Sequence, residues 1–148
     1  SAVLDLGSGF TSVTARVYGA RRPGIVLHSV DDSPKWLART AAFLRRQDLA
    51  VGTLVEWSEF RKRTTQPYDL IIHDLGSMEL REKALRYVLV AASCRKTIVV
   101  LDDMHKSDYR SRVLSRLHAL PSAKYYDLDR YTVDQFQRFC GLVCDVVV

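Results

Sequence analysis

The chain has 148 residues, of which 47% are hydrophobic and 26% are charged, and its net charge is +5. This composition predicts a single folded domain over residues 1–148 and excludes a disordered chain, because enough apolar surface is available to offset chain entropy. No apolar run approaches the roughly 20 residues of a membrane-spanning helix, so we expect no membrane segment. The positive charge is compatible with a nucleic-acid partner but does not favour one, since many other proteins carry as much.

The cysteines Cys94, Cys140 and Cys144 are odd in number and form no CxxC pair. Disulfide frameworks and zinc sites are therefore poorly supported. Buried free thiols in a reducing compartment are the default interpretation, so we expect a cytoplasmic protein.

Apolar runs typical of strands alternate with helical patterns along the chain. The predicted strands are residues 2–6, 25–30, 53–55, 70–72, 97–101, 124–128 and 142–148. This alternation predicts βαβ units in a doubly wound, mostly parallel α/β sheet of seven strands. The last two strands lack a clear crossover helix between them, so we expect them to close the sheet as an antiparallel pair.

Three of the intervening segments carry a single apolar stripe, which is typical of helices packed on one side. They are residues 35–47, 79–92 and 109–120. The first starts after Ser33 as N-cap and Pro34 at the first helical position. For the last, Ser107 or Asp108 is the expected cap.

A glycine turn, residues 7–9 (Gly-Ser-Gly), follows the first strand directly. Glycines permit close backbone approach to a ligand, and a helix N-terminus behind them favours a carboxylate or phosphate. However, Ser12 stands where a dinucleotide fingerprint has its third glycine. The acid two residues before the turn, Asp5, would repel a pyrophosphate but could pair with an ammonium group.

A second acid, Asp31, lies 24 residues after Gly7, within residues 30–34 (Val-Asp-Asp-Ser-Pro). At about this spacing a carboxylate holds the two ribose hydroxyls in nucleotide-binding folds. The alternative is a generic nucleotide-binding Rossmann domain, in which Asp31 and Asp32 only cap the following helix.

Three segments together resemble the first, second and fourth motifs of class I S-adenosylmethionine-dependent methyltransferases. They are residues 5–9 (Asp-x-Gly-x-Gly), 30–34 and 68–74 (Tyr-Asp-Leu-Ile-Ile-His-Asp), and the resemblance covers essentially the whole chain in order. The resemblance implies S-adenosylmethionine as cofactor. The family usually has at least one helix before the first strand, so an N-terminal helical segment is expected to be missing or supplied by a partner.

The resemblance also implies roles for individual residues. Gly7, Ser8 and Gly9 would pass under the methionine portion, and Asp5 would help hold its amino group directly or through water. Asp31 would hold the ribose hydroxyls, with Asp32 beside it. Glu56 and Trp57, at the end of the third strand, would flank the adenine, although Trp57 and Trp36 are more often packing residues.

The loop after the fourth strand contains His73 and Asp74. Asp74 is expected at the mouth of the pocket, near the transferable methyl group. Successive strand side chains alternate between faces, so His73 is expected to point away from the site. The Asn/Asp-Pro-Pro-aromatic signature of amino-methylating nucleic-acid enzymes is absent from the sequence, which counts against base N-methylation.

The loop after the fifth strand contains Asp102, Asp103 and His105. One interpretation makes His105 a general base, supported by Asp103 or Asp102. A less favoured one makes Asp74, Asp102 and Asp103 ligands of Mg²⁺, which prefers oxygen atoms. Asp103 stands where related metal-dependent O-methyltransferases have Asn, which counts against a metal. The third interpretation is a capped turn with a surface histidine.

The leading functional hypothesis is S-adenosylmethionine-dependent O-methylation of a small molecule. A non-catalytic methyltransferase-like binding domain of a larger protein and an RNA methyltransferase are the alternatives, and the Lys-Asp-Lys-Glu arrangement of the latter is not found in matching positions. Residues 10–20, 75–80, 103–110 and 129–138, or a partner subunit, would contact the acceptor. The aromatic tail, with Phe136 and Phe139, would form core around a closing hairpin or a homodimer contact.

Overall fold

The computed structural model describes residues 1–63, 66–93 and 96–147. Strands and helices alternate as the sequence predicts, and they run β1 Ala2–Leu6, α1 Phe10–Ala20, β2 Val26–Asp31, α2 Pro34–Arg46, β3 Leu54–Glu56, α3 Trp57–Phe60, β4 Leu70–His73, α4 Met78–Ser93, β5 Ile98–Leu101, α5 Ser107–His118, β6 Lys124–Asp127, α6 Asp129–Thr132 and β7 Gly141–Cys144. Cys94 and Val148, both part of the sequence predictions, lie outside the described residues.

The seven strands form one sheet in the order β3-β2-β1-β4-β5-β7-β6. Strand β7 runs antiparallel to both β5 and β6, and the other neighbouring pairs are parallel. The predicted doubly wound sheet with an antiparallel closure is therefore confirmed. The strand order reverses between β1 and β4, and ligands of such sheets bind at the carboxyl ends of the strands beside this switch point.

One face of the sheet is buried beneath α4 and α5. Leu4, Ile71, Val99 and Val143 lie side by side on β1, β4, β5 and β7, and none is exposed to solvent. The predicted stripe of α4 packs on this face, with Ala84, Leu85, Val88, Leu89 and Ala92 all buried. This packing holds α4 against the central strands of the sheet.

The opposite face is covered less completely. Helix α1 borders a groove of about 410 Å³ whose floor includes Val3 of β1 and Ile72 of β4. Farther along the sheet, Ile98 of β5 is 44% exposed and Tyr126 of β6 is 50% exposed. The layer formed by α1 and α2 is therefore narrower than the sheet it covers.

Two boundary predictions are corrected by the structure. Strand β7 ends at Cys144 instead of 148, because Asp145 adopts a left-handed φ of 56° that ends the extended backbone. Helix α5 begins at Ser107, with Lys106 as its N-cap residue and no side-chain cap bond, so neither Ser107 nor Asp108 is the cap. The turn before this helix passes through Asp103, whose carbonyl accepts from Lys106 N.

The aromatic tail is only partly core. Phe139 packs against the core, but Phe136 is 66% exposed, because residues 133–140 form a loop and not one arm of a hairpin. Cys140 and Cys144 are free, half-buried thiols. None of the helices in the described ranges is both long enough and apolar enough to cross a membrane.

Candidate cofactor and acceptor sites

The glycine turn places the backbone of β1 directly against the loop after β4. Gly7 adopts a φ of +112°, and its N–H donates to the carbonyl of Val30 over 2.8 Å. A Cβ at Gly7 would collide with the carbonyl group of Asp74, whereas a Cβ at Gly9 would meet no atom within 4 Å. The two glycines, equivalent in the sequence motif, are therefore not equivalent in the structure.

Asp31 ties the glycine turn to the start of α2. Its Oδ2 accepts from Ser8 N at 2.8 Å and Ser8 Oγ at 3.1 Å, and its Oδ1 accepts from Ser33 N at 2.9 Å. Asp31 is only 3% exposed. An ionised carboxylate has about four acceptor positions, so Oδ1 retains one for a further donor.

An open cavity of about 500 Å³, which we call the glycine cleft, lies at the carboxyl ends of the central strands. The residues lining it are Gly7, Ser8, Gly9, Phe10, Thr11, Asp31, Asp32, Ser33, Trp36, Asp74, Gly76 and Arg81. The structure thus brings together six residues of the predicted cofactor set: Gly7, Ser8, Gly9, Asp31, Asp32 and Asp74. Asp32 is exposed and lies over Gly76.

Sequence reasoning missed several residues of this cleft, notably Trp36 and Arg81. Trp36 is 48% exposed, and the guanidinium of Arg39 lies 5.2 Å from its ring centroid. Phe10, at the start of α1, is 84% exposed at the rim. These residues belong to the first turns of helices that follow parallel strands, which face the ligand edge of the sheet. A position in the first turn of a predicted helix after a predicted strand is therefore the sequence feature that could have identified these residues.

Asp5 does not line the glycine cleft. It is fully buried and accepts hydrogen bonds from Thr11 Oγ1 at 2.7 Å, Ser29 Oγ at 3.0 Å and Ser12 Oγ. Burial raises the pKa of Asp5, and the hydroxyl donors and the charge of Arg16 offset only part of that rise. The structure places Asp5 beneath the first turn of α1, so its expected contact with an amino group, directly or through water, stays a prediction.

Arg16 completes this buried network and was not singled out from the sequence. Its Nη1 donates to Ser29 Oγ at 2.8 Å and to the carbonyl of Ser12 at 3.0 Å. Its Nε donates to the carbonyl of Ala50 at 2.7 Å, and its Nη2 donates to Thr53 Oγ1 at 3.0 Å. A buried carboxylate is costly unless nearby donors and an opposite charge offset its loss of water. Asp5 and Arg16 therefore act as one structural unit.

Glu56 and Trp57 do not line the glycine cleft either, within the part of the chain that the structure describes. Trp57 packs edge-on against Tyr87 at a centroid distance of 5.5 Å and is tilted against Phe60 at 6.4 Å. Glu56 accepts a hydrogen bond from Ser58 Oγ at 2.8 Å. Aromatic packing directs Trp57 toward α4, and the expected adenine contact of Glu56 and Trp57 stays a prediction.

Three carboxylates converge beside the cleft. Oxygen atoms of Asp74, Asp102 and Asp103, which we call the acid cluster, all lie within 4.8 Å of one another. The guanidinium of Arg81 forms ion pairs with Asp74 and, through Nη1 at 2.9 Å, with Asp103. Burial, together with the charges of Asp102 and Asp103, raises the pKa of Asp74 to about 6 despite the opposing charge of Arg81.

His73 lies behind this cluster and faces away from the cleft, as strand alternation predicts. It is fully buried, and its Nε2 lies 2.9 Å from the carbonyl oxygen of Arg81. A carbonyl can only accept, so Nε2 carries a hydrogen. Burial lowers the pKa of His73 to about 4, so the imidazole is uncharged at neutral pH.

His105 lies on the far side of the acid cluster. Its Nδ1 is 3.6 Å from Asp103 Oδ1, too long for a direct hydrogen bond, and its ring contacts Phe139 edge-on. Burial works to raise the pKa of Asp103, but Lys106, Arg81 and His105 together lower it. Asp103 therefore remains a carboxylate beside the imidazole at neutral pH.

His105 opens onto a second cavity of about 600 Å³, which we call the histidine cavity. It is lined by His105, Asp129, Arg130, Val133, Phe136, Gln137 and Phe139. Residues 129–137 belong to the segment from which acceptor contacts were predicted. Asp74 and Arg81 line the glycine cleft, His105 lines the histidine cavity, and Asp103 lies beside both Arg81 and His105.

Comparison with known proteins identifies the fold. No family model and no curated protein matches the sequence. Cofactor-bound Rv0187 from MTB superimposes with a TM-score of 0.74 at 16% identity, covering 99% of this chain and 73% of that chain. The Bacillus cereus O-methyltransferase in complex with SAH superimposes with a TM-score of 0.69 at 15% identity, and the match covers 98% of this chain and 73% of that chain.

A Clostridium thermocellum protein named as an rRNA methylase gives a TM-score of 0.69 at 14% identity, covering 98% of this chain and 86% of that chain. At such low identities the likeness establishes the fold. The chain therefore has the Rossmann-like fold of class I S-adenosylmethionine-dependent methyltransferases, as the resemblance of its motifs predicted.

Proposed function

We propose that this chain is a methyltransferase that binds S-adenosylmethionine in the glycine cleft. The observation that carries the proposal is the cleft itself, in which the glycine turn and the acids Asp31, Asp32 and Asp74 meet at the switch point of the sheet. The left-handed Gly7, which has no room for a Cβ, gives the turn its close approach to the loop after β4. The Bacillus cereus enzyme of the same fold was crystallised with SAH.

Within this proposal each half of the cofactor has a matching set of groups. The glycine turn and the N-terminus of α1 face the methionine portion, where backbone N–H groups favour its carboxylate. Asp31 Oδ1 has an acceptor position for one ribose hydroxyl, and the exposed carboxylate of Asp32 is available to the other. Asp74, at the cleft wall, lies toward the sulfonium that carries the methyl group.

We further propose a hydroxyl of a small molecule as the methyl acceptor, bound in the histidine cavity. An O-methylation requires the acceptor proton to be removed, and a positioned base contributes roughly 10²–10⁴-fold to such a step. His105 borders the cavity, and the carboxylate of Asp103 stabilises the imidazolium that results. Phe136, Phe139 and Val133 offer apolar surface to the body of the acceptor.

Methylation of RNA is the second candidate. It is supported by the structural neighbour named as an rRNA methylase, and the net charge of +5 is compatible with it. RNA binding through phosphate contacts would weaken steeply as salt increases. Retention on a polyanion column that disappears with moderate salt, together with methyl transfer to RNA, would replace the small-molecule proposal.

Calorimetry with S-adenosylmethionine tests the cofactor assignment, with NAD as the comparison ligand. We expect the wild-type chain to bind S-adenosylmethionine, and Asp31→Asn and Asp32→Asn each to weaken binding at least about tenfold, since a hydrogen bond to a charged group contributes about 1.5–3 kcal/mol. His105→Ala is the matched control, because it lies outside the glycine cleft and should leave cofactor binding unchanged.

The outcomes separate the parts of the proposal. Tight binding of NAD in place of S-adenosylmethionine would indicate a generic nucleotide-binding domain and overturn the methyltransferase assignment. Wild-type affinity in both aspartate variants would overturn the ribose assignment alone. Thermal unfolding of each variant checks that Asp31→Asn, which also loses part of a bridge to Ser8, still folds.

A further inference from the structure

The acid cluster has the spacing of a divalent-cation site. Its three carboxylates offer oxygen atoms within 4.8 Å of one another. Oxygen ligands lie about 2.0–2.6 Å from Mg²⁺ or Ca²⁺, so two ligands on opposite sides of one ion are separated by about this distance. Three acids this close repel one another unless a cation lies among them.

A cation is already present in this position, and it is a side chain of the protein. The guanidinium of Arg81 pairs with Asp74 on the side of the glycine cleft and with Asp103 Oδ2, at 2.9 Å, on the side of His105. The Arg81 side chain is only 4% exposed. A divalent ion bound to the same carboxylates would either displace the guanidinium of Arg81 or share the carboxylates with it. In the second case the positive charge of Arg81 would repel the ion.

Arg81 is held in place from behind. Its backbone N–H donates to the carbonyl of Ser77 at 2.8 Å, and its carbonyl accepts from His73 Nε2 at 2.9 Å. A guanidinium keeps its charge at every physiological pH, so it does not yield its place by losing a proton as lysine or histidine can. These contacts hold the backbone of Arg81 at the start of α4, while its guanidinium is held by the ion pairs with Asp74 and Asp103.

We propose that Arg81 is the resident cation of the acid cluster, and that it closes to divalent metal ions a site that Asp74, Asp102 and Asp103 would otherwise form. Arg81 is a positioning residue, which aligns Asp74 at the cofactor side with Asp103 and His105 at the acceptor side. This inference rests on the proposed function only in calling one side of Arg81 the cofactor side and the other the acceptor side. Its central claim concerns metal binding and is independent of methyl transfer.

Titration with Mn²⁺, followed by the loss of the free-ion EPR signal, tests the proposal directly. We expect no saturable binding to the wild-type chain below about 1 mM. In Arg81→Met the uncompensated carboxylates should bind about one Mn²⁺ per chain, with a dissociation constant of about 0.1 mM or lower, as is usual for oxygen-ligand sites with several carboxylates. Arg81→Lys, which keeps a positive charge, should bind Mn²⁺ at least tenfold more weakly than Arg81→Met.

Lys83→Met is the matched control on the same helix. Lys83 also pairs with an acid, Glu79 at 2.6 Å, but both side chains are exposed and no acid cluster surrounds them among the described residues. We expect no gain of Mn²⁺ binding in this variant. Adding Asp74→Asn and Asp103→Asn to Arg81→Met should abolish the gained binding, which locates the ion.

Two results would overturn the proposal: equal Mn²⁺ binding by the wild type and Arg81→Met, or no binding by a folded Arg81→Met. If Arg81→Met is unfolded without metal, circular dichroism and thermal melting in the presence of Mn²⁺ test whether the ion restores the fold. Recovery of the fold by Mn²⁺ but not by sodium at equal ionic strength supports the proposal, and failure to recover in Mn²⁺ contradicts it. Binding of S-adenosylmethionine is measured separately, so failure of the cofactor assignment remains distinguishable.

Discussion

The two halves of the site satisfy their buried polar groups differently. In the glycine half, formed by β1, β2 and the helices that follow them, buried side chains such as Asp5, Arg16 and Asp31 each form several hydrogen bonds within the protein. In the acid half, around the loops after β4 and β5, the described groups include buried atoms with no hydrogen-bond partner: Arg81 Nε, His105 Nδ1 and the hydroxyl of Tyr109.

This difference separates a preorganised region from one that still has bonding capacity. A buried polar atom without a partner costs about 1–3 kcal/mol, so it is retained only where another requirement outweighs stability. The glycine half can receive a ligand without rearranging its own bonds. Among the described residues, the acid half keeps donors and acceptors without a partner in the protein.

The largest expected effect tests the rigidity of the glycine half. Gly7→Ala should lower the free energy of unfolding by about 4 kcal/mol, because it adds backbone strain at a positive φ to a collision with Asp74. Gly9→Ala should cost less than about 1 kcal/mol, since its φ of 171° is extended and the space around it is open. Urea denaturation of both variants measures the difference.

Equal costs for the two substitutions would mean that the loop after β4 moves away from the added methyl group of Gly7→Ala without penalty. The glycine half would then be no more rigid than the acid half. Calorimetry with S-adenosylmethionine on the same two proteins shows whether the fixed turn is also what the cofactor needs.

The next largest effect concerns His73, behind the acid cluster. Its folded-state pKa of about 4 lies below the ordinary value of 6.5, so the unfolded chain takes up the proton more readily. The stability that the uncharged His73 gives the fold is therefore fully present above pH 6.5. As the pH falls toward 4, the free energy of unfolding decreases by up to about 3 kcal/mol from this group. Asp74, whose pKa is raised, changes stability in the opposite direction over part of this range.

A comparison with His73→Gln isolates the histidine. Glutamine can still donate to the carbonyl of Arg81 but does not titrate, so the difference between the two stability curves should decline from pH 6.5 to 4. Denaturation at several pH values measures it. Parallel curves would show that His73 becomes charged within the fold and that the acid half accommodates a further cation.

The fold and half of the site were accessible from the sequence, for identifiable reasons. Apolar runs of strand length are a local signal, so the order of elements and the antiparallel closure were predicted correctly. Gly7 and Asp31 were found in the cleft because their residue types and spacing are specific. The positions of Asp5 and Trp57 outside the lining of the cleft could not be predicted, since the hydrogen bond of Asp5 with Ser12 and the packing of Trp57 on Tyr87 depend on tertiary structure.

Arg81 shows what sequence patterns leave out. It lies seven residues after Asp74 and 22 before Asp103, and in the sequence it resembles any charged residue of an amphipathic helix. Only the height of α4 above the sheet, set by the packing of its apolar stripe, brings the guanidinium between two loops. The sequence places Arg81 in the first turn of a helix that follows a strand, but it does not show that the guanidinium pairs with acids of two different loops.

The smallest expected effect tests the unpaired atoms of the acid half. Tyr109 is 1% exposed, and its hydroxyl has no hydrogen-bond partner among the described residues. Tyr109→Phe should change the free energy of unfolding by less than about 0.5 kcal/mol, or stabilise the protein, because no hydrogen bond is lost. Tyr68→Phe is the matched control.

Tyr68 is equally buried, but its hydroxyl lies 3.3 Å from His28 Nδ1, so removing it should cost about 1 kcal/mol. Thermal and urea unfolding of the two variants, compared with the wild type, gives both values. A cost above about 1 kcal/mol for Tyr109→Phe would show that its hydroxyl is bonded in solution. The contrast with the glycine half would then rest only on Arg81 Nε and His105 Nδ1 among the atoms named above.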